Sequence, residues 1–235
     1  MIARRVGGAG LLLLAVAALA TSLTIVGGAS DGAHAGDRPF AGGIVVVGDS
    51  ITARYGDRAG APDEAWWSIV ERRLGTDVRI HAQSGSGYLR RGLRCTGDTF
   101  AERTTAFEGA PAVFVIAGGR NDWARCGHGR HVRAGDAEIA AAVTSYLRLA
   151  QRRLPGGTRI VVLEPPWGDR DPWEQRRLTS IVRTAAGREG LEFVTTAGTL
   201  TGADRTTDGV HPTRAGSVAL GERVAAALAD PVPRS

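Results

Sequence analysis

Beyond residue 36, short apolar runs alternate with amphipathic segments five times, and this alternation is the strongest constraint on the fold. The runs are rich in Val and Ile, are bounded by Gly or Pro, and predict five strands at residues 44–47, 78–81, 112–117, 159–163 and 191–194. The intervening segments have helical spacing, and most open with an acidic residue; they span residues 63–74, 98–108, 136–153, 171–189 and 213–229. The pattern therefore predicts an α/β fold, with a parallel sheet covered by helices on both faces.

Length and composition agree with one soluble-type α/β domain. The 235 residues can bury a sizeable core, and 43% hydrophobic with 23% charged residues excludes a disordered chain and a membrane bundle. The formal charge is +5, but all 29 basic residues are arginine, so the excess reflects the composition of the whole chain. We expect no nucleic-acid partner, because the arginine pairs at 72–73, 152–153 and 176–177 fall within predicted helices as solvated faces. Attraction to an anionic envelope polymer is the alternative.

The N-terminus has the pattern of an export signal. Arg4 and Arg5 precede an uncharged stretch over residues 6–30, and a small-residue site, Ala33-His34-Ala35, follows. This predicts a signal peptide at 1–35, a linker at 36–42, a domain at 43–229 and a tail at 230–235. The stretch is also long enough for an uncleaved membrane anchor. In either case we expect the domain to work outside the cytoplasm, secreted or in the cell envelope, with membrane contact only through such an anchor.

The chain contains two cysteines, Cys95 and Cys126. An even count in an exported chain predicts a disulfide. The alternative is a metal site built on Cys126, His128 and His131, but this motif lacks the second half of a ligand set. We therefore expect no metal.

Four polar blocks lie where they could meet at one edge of the sheet. Gly48-Asp49-Ser50 follows the first strand, residues 83–88 (Gln-Ser-Gly-Ser-Gly-Tyr) the second, and residues 118–122 (Gly-Gly-Arg-Asn-Asp) the third, while Asp208-Gly-Val-His211 stands near the C-terminus. Each block alone has an ordinary explanation as a cap or turn. The carboxyl ends of parallel strands share one edge, however, so together the blocks offer a nucleophile, oxyanion donors and an acid–base pair.

These blocks, in this order and at these strand ends, resemble the SGNH (GDSL-type) hydrolases, a family of esterases and lipases. The resemblance covers about residues 43–229 and implies a three-layer α/β/α, flavodoxin-like fold with a five-stranded parallel sheet, without metal or cofactor. It implies that Ser50 is the nucleophile and that Asp208 and His211 form the acid–base pair. A serine needs such a base because its hydroxyl is a weak nucleophile.

The resemblance also implies an oxyanion hole made of the Ser50 and Gly87 backbone N–H groups and the Asn121 side chain. Two features depart from the family pattern: Ala82 stands where an Asn is usual, and Gly85 competes with Gly87 for the oxyanion role. Gly87 is preferred because a Ser-Gly-aromatic sequence recurs in members acting on sugar esters.

Aromatic residues next to the blocks are candidates for the substrate-binding wall. Tyr88 follows Gly87 and Trp123 follows the Asn-Asp pair, so both are expected to border the pocket. Trp167 and Trp173 flank a Pro/Gly-rich loop after the fourth strand that could lean over the site.

The sequence therefore predicts a monomeric, exported serine esterase. Its expected substrate is a small acyl ester, with acetyl esters of carbohydrate among the candidates. The alternatives are a lipase or lysophospholipase, an acyltransferase, and a non-catalytic carbohydrate-binding relic. Other enzyme classes fit less well, since the chain has no Gly-x-Ser-x-Gly elbow and, without lysine, no P-loop.

Overall fold

The computed structural model describes residues 40–53 and 62–229. The predicted signal peptide at 1–35 and the tail at 230–235 lie outside these ranges, as does most of the linker. Within them the strands are β1 (Ile44–Gly48), β2 (Val78–Ala82), β3 (Val113–Ala117), β4 (Ala124–Gly127), β5 (Arg130–Arg133), β6 (Arg159–Leu163) and β7 (Glu192–Val194). The α-helices are α1 (Ser50–Ala53), α2 (Trp66–Leu74), α3 (Asp136–Arg153), α4 (Pro172–Arg188) and α5 (Arg214–Ala229). The described helices include none that is long and apolar enough to cross a bilayer.

Five of these strands form one parallel sheet in the order β2-β1-β3-β6-β7. The register places Val46 of β1 beside Ile80 of β2 and Val115 of β3. This is the order of a flavodoxin-like doubly wound sheet, whose direction of winding reverses between β1 and β3. The predicted fold class is confirmed, and ligands are expected at the carboxyl ends of these two strands.

Side-chain alternation along the strands divides the core into two layers. In β1, Val45 and Val47 join the cluster that contains Tyr146 of α3 and residues of α4. Val46 points the other way, into the cluster that contains Leu220 of α5 and residues of α2. Successive residues of a strand face opposite sides of the sheet, so this fully buried strand reads as a continuous apolar run.

The helix predicted for residues 98–108 is wrong. This segment is irregular except for a 3₁₀ turn at Thr104–Phe107. Phe100 is fully buried, and its backbone N–H donates to the Gly87 carbonyl at 2.9 Å. The Arg103 guanidinium donates to the carbonyl oxygens of Gly48 and His81 at the ends of β1 and β2. These tertiary contacts override the local helical spacing.

A small antiparallel hairpin, β4–β5, lies between the third strand of the sheet and α3, where the sequence pattern predicts no strand. Its turn is formed by His128 and Gly129, whose φ angles are 51° and 73°. Two positive φ values in a two-residue connection are the requirement of a type I′ turn. Cys126 lies on β4 and forms a disulfide with Cys95, so the predicted pairing is confirmed and its sulfur is not available to a metal.

Candidate active site

Ser50 lies at the carboxyl end of β1, where the chain turns into α1. The Asp49 carboxylate accepts the Ile51 N–H at 2.9 Å, which fixes this turn. As the first residue of α1, Ser50 leaves its own N–H outside the hydrogen bonds of the helix. Ser50 is buried, yet its side chain reaches a cavity at the sheet edge.

The loop before α5 brings His211 to this serine. His211 Nε2 lies 2.9 Å from Ser50 Oγ, and His211 Nδ1 lies 2.7 Å from Asp208 Oδ2. The other oxygen of Asp208 accepts the N–H groups of Val210 and His211, at 3.0 and 2.8 Å. With a proton on Nδ1, the ring donates to Asp208 and its Nε2 accepts from the serine hydroxyl. The three predicted residues are therefore brought into one hydrogen-bonded series.

The electrostatics favour an ionised Asp208. Partial burial acts to raise the pKa of this carboxyl group, but hydrogen bonds from the backbone and ring of His211, and the charge of that ring, lower the pKa to about 2. At neutral pH the group is a carboxylate. It can therefore hold the imidazole in one orientation and stabilise the imidazolium when the ring takes a proton.

Of the two candidate glycines, Gly85 faces the cavity and Gly87 does not. The Gly87 N–H donates to the Arg90 carbonyl at 3.0 Å, and a Cβ at Gly87 would lie 2.4 Å from the Asp122 carboxylate. Gly85 lines the cavity with a φ of +74°, and its N–H has no acceptor among the described residues. A Cβ at Gly85 would also meet the Leu93 backbone at 2.7 Å. The preference for Gly87 is therefore corrected in favour of Gly85.

Asn121 lies in the 3₁₀ turn that follows β3, Arg120–Trp123. Its Nδ2 donates to the Ser86 carbonyl at 3.0 Å and, through a longer contact of 3.3 Å, to Asp49 Oδ2. The first bond orients the amide toward the serine. An oxyanion formed beside Ser50 would compete with the longer contact for the second N–H.

The neighbouring Asp122 ties the second and third blocks together. Its carboxylate is fully buried and accepts the backbone N–H groups of Tyr88, Leu89 and Arg90, at 2.8 to 3.0 Å. Burial raises the pKa of Asp122 to about 6, although the three hydrogen bonds oppose this shift. The segment that carries Gly85 and the turn that carries Asn121 are thus held in fixed register.

The cavity has a volume of about 620 Å³ and is lined by Ser50, His211, Asn121 and Gly85 together with aromatic and charged side chains. Trp123, Trp167 and Trp173 lie in its wall, as expected from their positions. The expectation for Tyr88 is wrong. Because Asp122 holds the Tyr88 backbone, the ring points into the core, where it meets Phe100 and Tyr146 edge to face at 5.0 and 5.7 Å.

Sequence reasoning missed several charged cavity residues. Arg120, Arg133, Asp171 and Arg176 all line the cavity. Arg120 lies between Gly119 and Asn121 in one of the four polar blocks, and this position could have indicated that it lines the cavity. Arg133 lies on the hairpin, and Asp171 and Arg176 lie at the start of α4. No feature of the sequence indicated that these two elements border the site. Arg177 is also not a solvated residue, because its side chain is 9% exposed and pairs with Glu174 and Asp136.

Comparison with known proteins identifies the family. The family described as GDSL-like lipase/acylhydrolase matches residues 46–219. The GDSL lipase Rv0518 of Mycobacterium tuberculosis is 28% identical, over 77% of this chain and 79% of that protein.

The fold is also similar to solved carbohydrate esterases. A family two carbohydrate esterase from Clostridium thermocellum, solved with cellohexaose, superposes with a TM-score of 0.63 at 21% identity over 81% of this chain. This chain spans 64% of the length of that esterase. A second solved structure is a carbohydrate esterase family 2 enzyme with a carbohydrate-binding domain, from Corynascus thermopiles (Myceliophthora fergusii). It superposes with a TM-score of 0.63 at 23% identity, over 82% of this chain and 67% of that chain. The chain therefore belongs to the GDSL-like lipase/acylhydrolase family and is a serine ester hydrolase of the SGNH type.

Proposed function

We propose that this protein is an exported esterase in which Ser50 attacks the ester carbonyl, His211 is the general base and Asp208 orients the base. The hydrogen-bonded series from Asp208 through His211 to Ser50, at the floor of the cavity, carries this proposal. The pattern of the first 35 residues supports export.

The reaction follows from the positions of the donors and acceptors. His211 Nε2 takes the hydroxyl proton of Ser50 as Oγ bonds to the carbonyl carbon, and the carbonyl oxygen becomes an oxyanion. The N–H groups of Ser50 and Gly85 and the Asn121 amide are the proposed donors to that oxyanion. When the tetrahedral intermediate collapses, His211 protonates the leaving alkoxide, and an acyl-serine remains. Water then attacks the acyl-serine by the same steps, which releases the acid and restores Ser50.

The proposed substrates are small acyl esters, acetyl esters included, of a carbohydrate alcohol. Three tryptophans line the cavity, and aromatic rings with a few polar groups suit a sugar-sized ligand. The similarity of fold to two carbohydrate esterases supports the same assignment.

A lipase or lysophospholipase is the second candidate, favoured by the apolar cavity rim. Leu93 and Trp173 are each 57% exposed, and Trp123 is 39% exposed. These three account for most of the exposed large hydrophobic side chains between residues 62 and 229, and all line the cavity. Exposed apolar patches often mark ligand or membrane contact.

Hydrolysis of a p-nitrophenyl ester series from acetate to palmitate separates the two candidates. We expect kcat/KM to be greatest for acetate and to fall with chain length, with Ser50→Ala as the control for background hydrolysis. A maximum at long chains would favour the lipase. Adding a sugar alcohol as a competing acceptor tests for acyl transfer, which would appear as a new ester in place of free acid.

A further inference from the structure

The Arg120 side chain lines the cavity without an ion pair or hydrogen bond within residues 62–229. Its guanidinium carbon lies 4.2 Å from the centre of the Trp167 ring, so the group packs over an aromatic face. Among the described residues, no acceptor lies within hydrogen-bond distance of the buried Nη1, and none bonds to Nε or Nη2. Guanidinium donors in a protein cavity normally have partners, so the Arg120 donors can bind a ligand that enters this cavity.

Asp171 is the complementary unpaired group of the same cavity. It precedes α4 with a φ of 50°, and its side chain makes no capping hydrogen bond. Its carboxylate also lacks a donor elsewhere in the described chain, and it is close enough to Arg120 for charge interaction but beyond 4.0 Å. The cavity therefore presents an unused acceptor and an unused set of donors.

The charges around Arg120 disfavour an anionic ligand. Its guanidinium interacts with the carboxylates of Asp49, Asp171 and Asp208 and with the like charge of Arg170. Three carboxyl groups near Arg120 outnumber the two guanidinium groups and disfavour an anion at this position. Arg133, which is paired with Glu174, and Arg176 also line the cavity. A ligand that satisfies both Arg120 and Asp171 must accept hydrogen bonds from the first and donate one to the second.

We propose that Arg120 and Asp171 form a subsite for the hydroxyl groups of a neutral sugar, which is the alcohol part of the ester. This inference rests on the proposed function and names the residues that select its substrate. A sugar hydroxyl accepts from Arg120 and donates to Asp171, which neither an alkyl chain nor an anion can do. Trp167 keeps the guanidinium in place, so little conformational freedom is lost on binding.

Three acetates with the same reacting group test the subsite. Methyl 6-O-acetylglucopyranoside offers hydroxyls, cyclohexylmethyl acetate is the matching ring without them, and 4-(acetoxymethyl)cyclohexanecarboxylate adds an anion. We expect the wild-type kcat/KM for the sugar acetate to exceed that for cyclohexylmethyl acetate by at least about tenfold. Of the three acetates, 4-(acetoxymethyl)cyclohexanecarboxylate should have the lowest kcat/KM.

Arg120→Met and Asp171→Gly should each reduce the preference for the sugar acetate by about tenfold. Glycine suits the positive φ of residue 171, so this variant removes the carboxylate without backbone strain. Arg72→Met, at an exposed position on α2 away from the cavity, is the matched control and should leave the preference unchanged. An unchanged preference in both cavity variants, or a preference for the carboxylate, would overturn the subsite.

A binding measurement tests the subsite independently of the catalytic role of Ser50. In Ser50→Ala protein, quenching of tryptophan fluorescence by the sugar acetate should saturate, and adding Arg120→Met should weaken that binding by about tenfold. The absence of saturable binding, or equal binding in the two proteins, contradicts the subsite. Full turnover by Ser50→Ala would instead contradict the assignment of the nucleophile.

Discussion

At the scale of single residues, His211 and Asp208 have different roles in the proposed reaction: His211 accepts the proton and Asp208 orients the His211 ring. His211 contacts Ser50, whereas the Asp208 carboxylate is bonded to the His211 ring and not to Ser50. We expect His211→Ala to lower kcat by about 10⁶-fold, on the order of the losses seen when a triad base is removed. Asp208→Asn should lower kcat less, roughly 10⁴-fold, because it alters orientation and charge but leaves the acceptor in place.

Initial rates with p-nitrophenyl acetate measure this difference. Circular dichroism of each variant shows whether the fold is retained. If His211→Ala were as active as wild type, the acid–base assignment would be rejected. If Asp208→Asn lost more activity than His211→Ala, the division of roles would be reversed.

Asp122 gives a second prediction at this scale, on stability rather than rate. Burial raises its pKa to about 6 in the folded protein, against an ordinary value of 3.8. The contribution of the group to the free energy of unfolding is therefore fully present below pH 3.8 and is lost as pH rises through about 6. A shift of roughly two units corresponds to about 3 kcal/mol.

Asp122→Asn cannot ionise and should lose this pH dependence. Urea denaturation between pH 4 and 7 should show the stability of wild type falling relative to that of the variant as pH rises. Two parallel stability profiles would show that Asp122 does not titrate in this range.

The resemblance to the SGNH hydrolases indicated the three residues that the structure joins by hydrogen bonds. Asp208 and His211 are three apart in one turn, and Ser50 directly follows a buried strand. The choice between Gly85 and Gly87 could not be made in this way, since both follow β2 two residues apart. It depends on Asp122, a residue distant in sequence, whose carboxylate fills the space beside Gly87.

At the scale of elements, the Cys95–Cys126 disulfide joins the segment after β2 to the β4–β5 hairpin. Leu93 lies on the first and Trp123 directly precedes the second, so the bond connects two parts of the cavity wall. We expect its reduction to lower the free energy of unfolding by about 3 to 4 kcal/mol, from the entropy of the loop it closes. The turnover should also fall, but by less than about tenfold, because Asp122 holds the same region through three backbone hydrogen bonds.

Thermal unfolding and turnover of oxidised and reduced protein, the latter measured well below the melting temperature, test this prediction. An unchanged melting temperature would show that the bond does not stabilise the domain. If only the turnover were unchanged, the disulfide would be a purely structural crosslink. Two free thiols in denatured, unreduced protein would contradict the bond itself.

Regular elements followed from the sequence where local pattern and tertiary environment agree. The predicted helix at 136–153 matches α3, and each predicted strand lies within about one residue of an observed strand of the sheet. Residues 98–108 fail because Phe100 and Arg103 bind to the strand ends instead of continuing a helix. The three arginines of the β4–β5 hairpin obscured its strand pattern, although the His-Gly pair in its turn was a usable signal.

At the scale of the whole molecule, the doubly wound sheet is what assembles the site. Ser50 and His211 are 161 residues apart in sequence, yet the carboxyl edge of the sheet brings them into hydrogen-bond contact. The parallel sheet follows from the alternation of apolar runs and helices, and the flavodoxin-like fold from the family resemblance. The shape of the cavity does not, because its wall consists of the hairpin and the start of α4, whose positions depend on long-range packing.

The central claim is that Ser50 is the nucleophile activated by this assembly. Its most direct test is peptide mass spectrometry of the protein after reaction with a fluorophosphonate, which forms a covalent adduct with an activated serine. We expect one adduct per chain, on the peptide that contains Ser50, and none in the Ser50→Ala variant. A stoichiometric adduct on another residue, or labelling of Ser50→Ala at the wild-type rate, would contradict the account.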